Sequence, residues 1–242
     1  MSNTASPACG RLTRRRRRSA SPEPLPLWVL IAAPIVFSLV WVGTTSMTHP
    51  FAPVSFAAFG STVTSALLRI ALPMAVTGLL ATFVFAMIGR LNTMWSHPRV
   101  GDPMSTNQRN IFLVLCVIPI AMTVWGLIDR VQDIPESGFG YFLSLLAGTL
   151  AVGYTEEIIF RGFLLQEARR YYRSEWKAAM LVAVMFGAWH LPNIFLGPSF
   201  LEVMVQFAQT IVIGLLFYVV RVVFGHIWPA VLVHAGWDFA LL

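Results

Sequence analysis

Beyond residue 26 the chain alternates long apolar runs with short polar breaks. Seven runs approach the ~20 residues that a bilayer crossing requires. They cover 27–45, 70–89, 111–128, 140–166, 178–195, 203–224 and 228–242. The fourth is long, and the seventh is short and ends with the chain. Pro34, Pro73 and Pro119 fall inside runs, which is tolerable where neighbouring helices re-satisfy the freed backbone groups. The pattern predicts an all-α, polytopic transmembrane helix bundle of about seven spans. No internal repeat is visible, which argues against a transporter built from inverted halves.

Composition supports a membrane setting. The 242 residues are 57% hydrophobic and 12% charged, against about 25% charged in soluble domains. One integral membrane domain over 27–242 is expected, behind a disordered, Arg-, Ser- and Pro-rich leader over 1–26. The net charge of +6 does not indicate a nucleic-acid partner, because the basic block from Arg11 to Arg18 precedes the first apolar run. There it reads as a topology signal in contact with membrane lipids. With the leader inside, 14 of the 17 Lys and Arg fall on the inner side and only Arg69 and Arg130 in outer loops. That asymmetry predicts a cytoplasmic N-terminus in the cell membrane. The order of basic block and apolar run also fits a signal peptide, but no small-x-small cleavage site follows and the run is long enough to span. Cys9 and Cys116 form neither a plausible disulfide nor a metal spacing. Segment 129–139 reads as an outer connection, and 167–177 as an inner amphipathic turn at headgroup level.

Charge inside the spans changes the picture most. Only Glu156, Glu157, Arg161, His190, His234 and Asp238 are ionisable and well inside apolar runs. Such residues are costly in a bilayer and mark function. At ~1.5 Å per residue, Glu156 lies about 16 Å from the inner helix end, Arg161 about 9 Å and His190 about 18 Å. His234 and Asp238 lie about 9 and about 15 Å in, so three helices carry polar groups to similar depth. Glu157 and Arg161 are i and i+4 and can pair, as can His234 and Asp238. Glu156, about 100° around the helix from Glu157, has no partner nearby in sequence. Pro192, in "HLPN", is expected to disturb the backbone after His190 and open a pocket. Phe186 and Trp189 read as packing, Trp237 as interfacial, and His226 as a headgroup-level residue.

Three motifs carry a resemblance. "EEIIFR" (Glu156 to Arg161) fits EExxxR, "FGAWH" (Phe186 to His190) fits FxxxH, and "HAGWD" (His234 to Asp238) fits HxxxN/D. In that order on consecutive spans, 140–242 resembles the CPBP, or Abi, family. That family comprises the type II CAAX prenyl endopeptidases and bacterial relatives in bacteriocin processing and self-immunity. The resemblance implies an intramembrane endopeptidase with its catalytic core in 140–242. Glu156 would activate water, aided by His190. His234 and Asp238 would stabilise the oxyanion, and Glu157 and Arg161 would brace the site.

The chemistry is sound in itself. A carboxylate stripped of hydration is a better base, and an imidazole donor at a developing oxyanion supplies electrostatic stabilisation. Water is expected from the cytoplasmic side. The chain departs from the family pattern in having Asp238 where Asn is commoner, so Asp238 would orient His234 or bind a metal. A further helix expected in larger members is missing. Glu156, His190 and His234 also form a ligand set suited to zinc or another divalent metal, although HExxH is absent. The substrate would be a peptide or protein, with prenylated tails and bacteriocin-like precursors both open. Two rivals remain: a non-catalytic membrane immunity or interaction protein of the same fold, and a proton-coupled transporter.

Overall fold

The structure, a computed structural model, describes residues 23–95, 104–172 and 174–242. The basic block of the leader, Cys9, His97, Arg99 and Arg173 lie outside the described residues. The chain is helical throughout, with no strand among the described residues. The long helices are α1 (Leu27–Thr48), α2 (Val63–Met87), α3 (Thr106–Gln132), α4 (Phe139–Tyr171), α5 (Glu175–Trp189), α6 (Phe200–Phe224) and α7 (Ile227–Leu241). Six of the apolar helical stretches are long enough to cross a bilayer, while α7, at 15 residues, is shorter. The outward faces are apolar: Val114 is 69% and Leu79 67% exposed. Exposed apolar surface on this scale belongs against lipid, and the chain is an integral membrane protein.

The helix boundaries follow local chemistry. Ser105 caps α3 and Ser199 caps α6, each in a reciprocal capping box with the residue three further on, Gln108 and Glu202. His226, expected at headgroup level, caps α7: its Nδ1 accepts from the Trp228 N–H at 3.3 Å. The α6–α7 connection is only Gly225 and His226. Gly225 sits at φ 68°, a conformation open chiefly to glycine, which lets the chain reverse sharply.

Two helices contain a wide π turn, at Ala66–Ala71 in α2 and at Ile158–Leu164 in α4. Such bulges occur often at functional sites. Each of these carries a buried arginine, Arg69 and Arg161. Arg69, expected in an outer loop, therefore lies inside a span; the apolar helix starts at Val63, seven residues before the run that hydropathy marks.

Helix α4 is the most buried span, and α7 packs against it and against α3. Small residues permit that approach. A Cβ on Gly153 would sit 2.6 Å from the Val231 carbonyl oxygen, and one on Gly126 2.3 Å from the Ala240 Cβ. Thr123 Oγ1 donates to the Val233 carbonyl at 3.1 Å, tying α3 to the same face. Gly153→Val is accordingly expected to push α7 outward. We expect a stability loss of about 1–3 kcal/mol, and loss of any activity centred on His234 by about 100-fold. Thermal unfolding in detergent and a peptidase assay would read both.

Within 167–177 helix α4 ends at Tyr171 and α5 begins at Glu175, but several of its charges are packed inside the protein. Glu167, Arg169 and Glu175 are buried. Glu167 lies 3.1 Å from the Arg90 Nε and 3.2 Å from that of Arg170, and accepts the Leu25 N–H at 3.2 Å. Glu175 pairs with Arg169 and accepts the Tyr218 hydroxyl at 3.0 Å. Glu167→Leu would leave Arg90 buried and uncompensated. A loss of about 3–5 kcal/mol is expected, read as a lower melting temperature.

Candidate active site

The π turn of α4 sets the geometry. Its residues Ile158–Leu164 are all buried, and Arg161 points into the bundle rather than to lipid. Arg161 Nη1 donates to Glu157 Oε1 at 2.7 Å, and Nη2 donates to the Gly214 carbonyl of α6 at 2.9 Å. The guanidinium carbon lies 4.4 Å from the centre of the Phe186 ring and 5.6 Å from that of Phe217. Gly214 has no side chain to obstruct this: an added Cβ would stand 3.4 Å from Nη2 and 3.0 Å from Phe186. The expected Glu157–Arg161 pair is present, but Glu157 has a second partner. His234 Nδ1 lies 2.9 Å from the same Oε1. Against a carboxylate Nδ1 carries the proton, which leaves Nε2 on the other side of the ring.

That Nε2 lies 3.6 Å from Glu156 Oε2 and 3.6 Å from Asp238 Oδ2. His234 is thus the hub, with Glu157 behind it and Glu156 and Asp238 in front. Phe217 stacks on its ring at 4.3 Å between centroids and fixes the ring plane. The i, i+4 spacing of His234 and Asp238 brings them near each other without a direct hydrogen bond.

Glu156 has a partner that sequence spacing did not reveal. Trp189 Nε1 donates to Glu156 Oε1 at 3.0 Å. Trp189, read as packing, is buried and does pack edge-on against Phe160, but its indole N–H is aimed at the carboxylate. Its own carbonyl accepts the Ser38 hydroxyl at 2.7 Å, which fastens α5 to α1. A buried tryptophan needs a partner for its N–H, so an acid elsewhere in the bundle was the available signal.

His190 ends α5. The helix stops there and a 3-10 segment, Leu191–Leu196, follows with Pro192 in its first turn. The expected disturbance is therefore present. His190 Nδ1 is 2.9 Å from the Phe186 carbonyl, and the ring lines the same cavity as Glu156 without a hydrogen bond to it.

The cavity holds about 330 Å³ and brings together Glu156, His190, His234 and Asp238. Glu157 and Arg161 stand behind its wall. From mid-bundle it extends past Trp41, Phe59 and Asn193 to Leu242. These belong to the end of the bundle opposite the start of α1, since Leu25 meets Glu167 while Ser38 meets Trp189. The cavity therefore lies toward the end of the bundle away from the start of α1.

Glu157 holds Nδ1 of His234 and the Phe186 carbonyl holds Nδ1 of His190, so only the two Nε2 atoms are left to serve as metal ligands. Among the described residues no three His, Cys, Asp or Glu side chains are grouped to hold an ion.

Residues 138–240 match the family model described as type II CAAX prenyl endopeptidase Rce1-like. The match spans α4 to α7 and with them all six candidate residues, while α1 to α3 lie outside it. Neither a curated protein nor a solved structure matches the chain. Through residues 138–240 this membrane protein is similar to the Rce1-like type II CAAX prenyl endopeptidases, a family of proteases.

Proposed function

We propose that the protein is an intramembrane endopeptidase that hydrolyses a peptide bond with water activated by Glu156. The observation that carries this reading is the division of labour at the two Glu156 oxygens. Oε1 accepts from Trp189, while Oε2 faces His234 at 3.6 Å, on the lining of a cavity with room for water. A carboxylate held at one oxygen presents the other in a fixed direction, as a general base requires.

In this mechanism Glu156 takes a proton from water as the oxygen attacks the scissile carbonyl. The His234 Nε2–H donates to the oxyanion that forms. That role requires a doubly protonated His234, since Nδ1 already donates to Glu157, and the surrounding carboxylates balance the charge. Collapse of the intermediate expels the amine, which takes the proton held by Glu156. Arg161 and Glu157 keep the imidazole in place, and Asp238 flanks its Nε2. His190, with Nδ1 engaged, has Nε2 left to meet the substrate. A prenylated tail, a bacteriocin-like precursor and another membrane protein are the candidate substrates. No step passes through a metal ion.

The test is incubation of purified protein with quenched fluorescent peptides, some prenylated, with and without a chelator. Cleavage that persists in chelator is expected. Substrate uptake driven by a proton gradient, without cleavage by any of these peptides, would overturn the reading.

From the basic asymmetry of the sequence and the cavity's place at the end of the bundle opposite the start of α1, we infer an entrance on the non-cytoplasmic face. Gln209 on α6 lines the cavity and is exposed. With Cys9 and Cys116 replaced by Ser, Gln209→Cys is expected to react with a membrane-impermeant thiol reagent applied outside intact cells. Reaction only after the cells are opened would reverse the orientation.

A further inference from the structure

Arg69 is not part of the hydrolytic machinery, yet it lines the same cavity as Glu156. It is only 3% exposed and sits in the π turn of α2, inside a span. One amine donates to the Thr45 carbonyl at the far end of α1, and the guanidinium carbon lies 4.5 Å from the centre of the Phe59 ring. Its Nε has no hydrogen-bond partner. No acidic side chain lies within ion-pair distance among the described residues, in contrast to Arg90, Arg161, Arg169 and Arg170. A buried cation without a counter-charge is costly inside a membrane and marks a place where an anion is received.

The surroundings say what kind of anion. Asn193 lines the same cavity and is buried, with its Nδ2 given to Gln206 and its Oδ1 without a partner. An acceptor and a guanidinium on the lining of one cavity suit a ligand that carries both an N–H and a negative group. A peptide has both; a phosphate diester or a free inorganic anion lacks the N–H. The remaining walls, among them Trp41, Phe59, Ile70 and Met74, are apolar and suit hydrophobic side chains.

We propose that Arg69 is a substrate-binding residue that receives a carboxylate of the peptide cleaved at Glu156, with Asn193 accepting a backbone N–H nearby. This rests on the endopeptidase reading. It makes the protein selective for a peptide bond a short distance from a negative group, either the chain's C-terminal carboxylate or an acidic side chain. The planar guanidinium is suited to that task by its fork of donors.

The experiment uses three versions of one cleaved peptide: free acid, C-terminal amide, and amide ending in Glu. The wild type is expected to cleave the free acid with kcat/KM about 10- to 100-fold above the amide, mostly through KM. Arg69→Gln should remove that difference, and Arg69→Lys should restore part of it. The amide ending in Glu regains the rate if a side-chain carboxylate serves, and stays low if the C-terminal carboxylate is required. Binding of the same peptides to Glu156→Gln, followed by tryptophan fluorescence, gives a readout independent of catalysis. Equal handling of acid and amide by the wild type would overturn the proposal, as would a preference unchanged in Arg69→Gln at matched melting temperature. If acid binds over amide but no peptide is cleaved, the anion site stands and the endopeptidase reading falls.

Discussion

Arg161→Met is expected to cost about 3–5 kcal/mol of stability and to lower the melting temperature by about 10 °C. Methionine keeps much of the volume but removes the guanidinium bonded to Glu157. Glu157 is fully buried, and its Oε2 already has no partner, so the His234 ring alone is left beside its charge. The same substitution frees the Gly214 carbonyl of α6 and empties the space between Phe186 and Phe217. Activity should fall with stability, because Glu157 orients His234. The double variant Glu157→Leu/Arg161→Met separates the causes: with both charges gone, much of the stability should return while activity does not. Wild-type stability in Arg161→Met would mean that the pair contributes nothing to the bundle. The measurement is thermal unfolding in detergent, with the peptidase rate recorded beside it.

Much of this architecture is legible along the chain because a bilayer constrains sequence strongly. A helix crossing hydrocarbon must be long and apolar, so the seven runs appear directly as apolar stretches. Ionisable residues inside those runs stand out for the same reason. The structure brings four of the six to one cavity and sets the other two behind its wall. What spacing conveys is confined to one helix. The Glu157–Arg161 pair follows from i, i+4, but the contacts of Trp189 with Glu156 and of His234 with Glu157 join different helices, 33 and 77 residues apart. The π turns leave no trace in hydropathy. Arg69 therefore reads as a loop cation, although α2 starts at Val63 and buries it.

The inner ionic network escaped for a different reason. Glu167, Arg169 and Glu175 have the composition of a solvated turn, and nothing local distinguishes a paired and buried charge from a hydrated one. Partners distant in sequence, among them Arg90, Leu25 and Tyr218, help to bury them. The side from which the cavity is reached is similarly non-local. It depends on which helix ends cluster around Glu156, and these come from five separate segments of the chain.

Glu156→Gln carries the largest expected effect on activity. Glutamine keeps the shape and can still accept from Trp189 at its carbonyl oxygen, so the fold should persist with little change in melting temperature. It cannot take a proton from water, and a positioned general base contributes about 10²- to 10⁴-fold. The measurement that tests the account most directly is therefore kcat/KM for one cleaved peptide, wild type beside Glu156→Gln, at matched thermal stability. The account predicts a fall of about 1000-fold in the variant. A rate within a few-fold of the wild type would contradict it, and would place the base for hydrolysis on another residue.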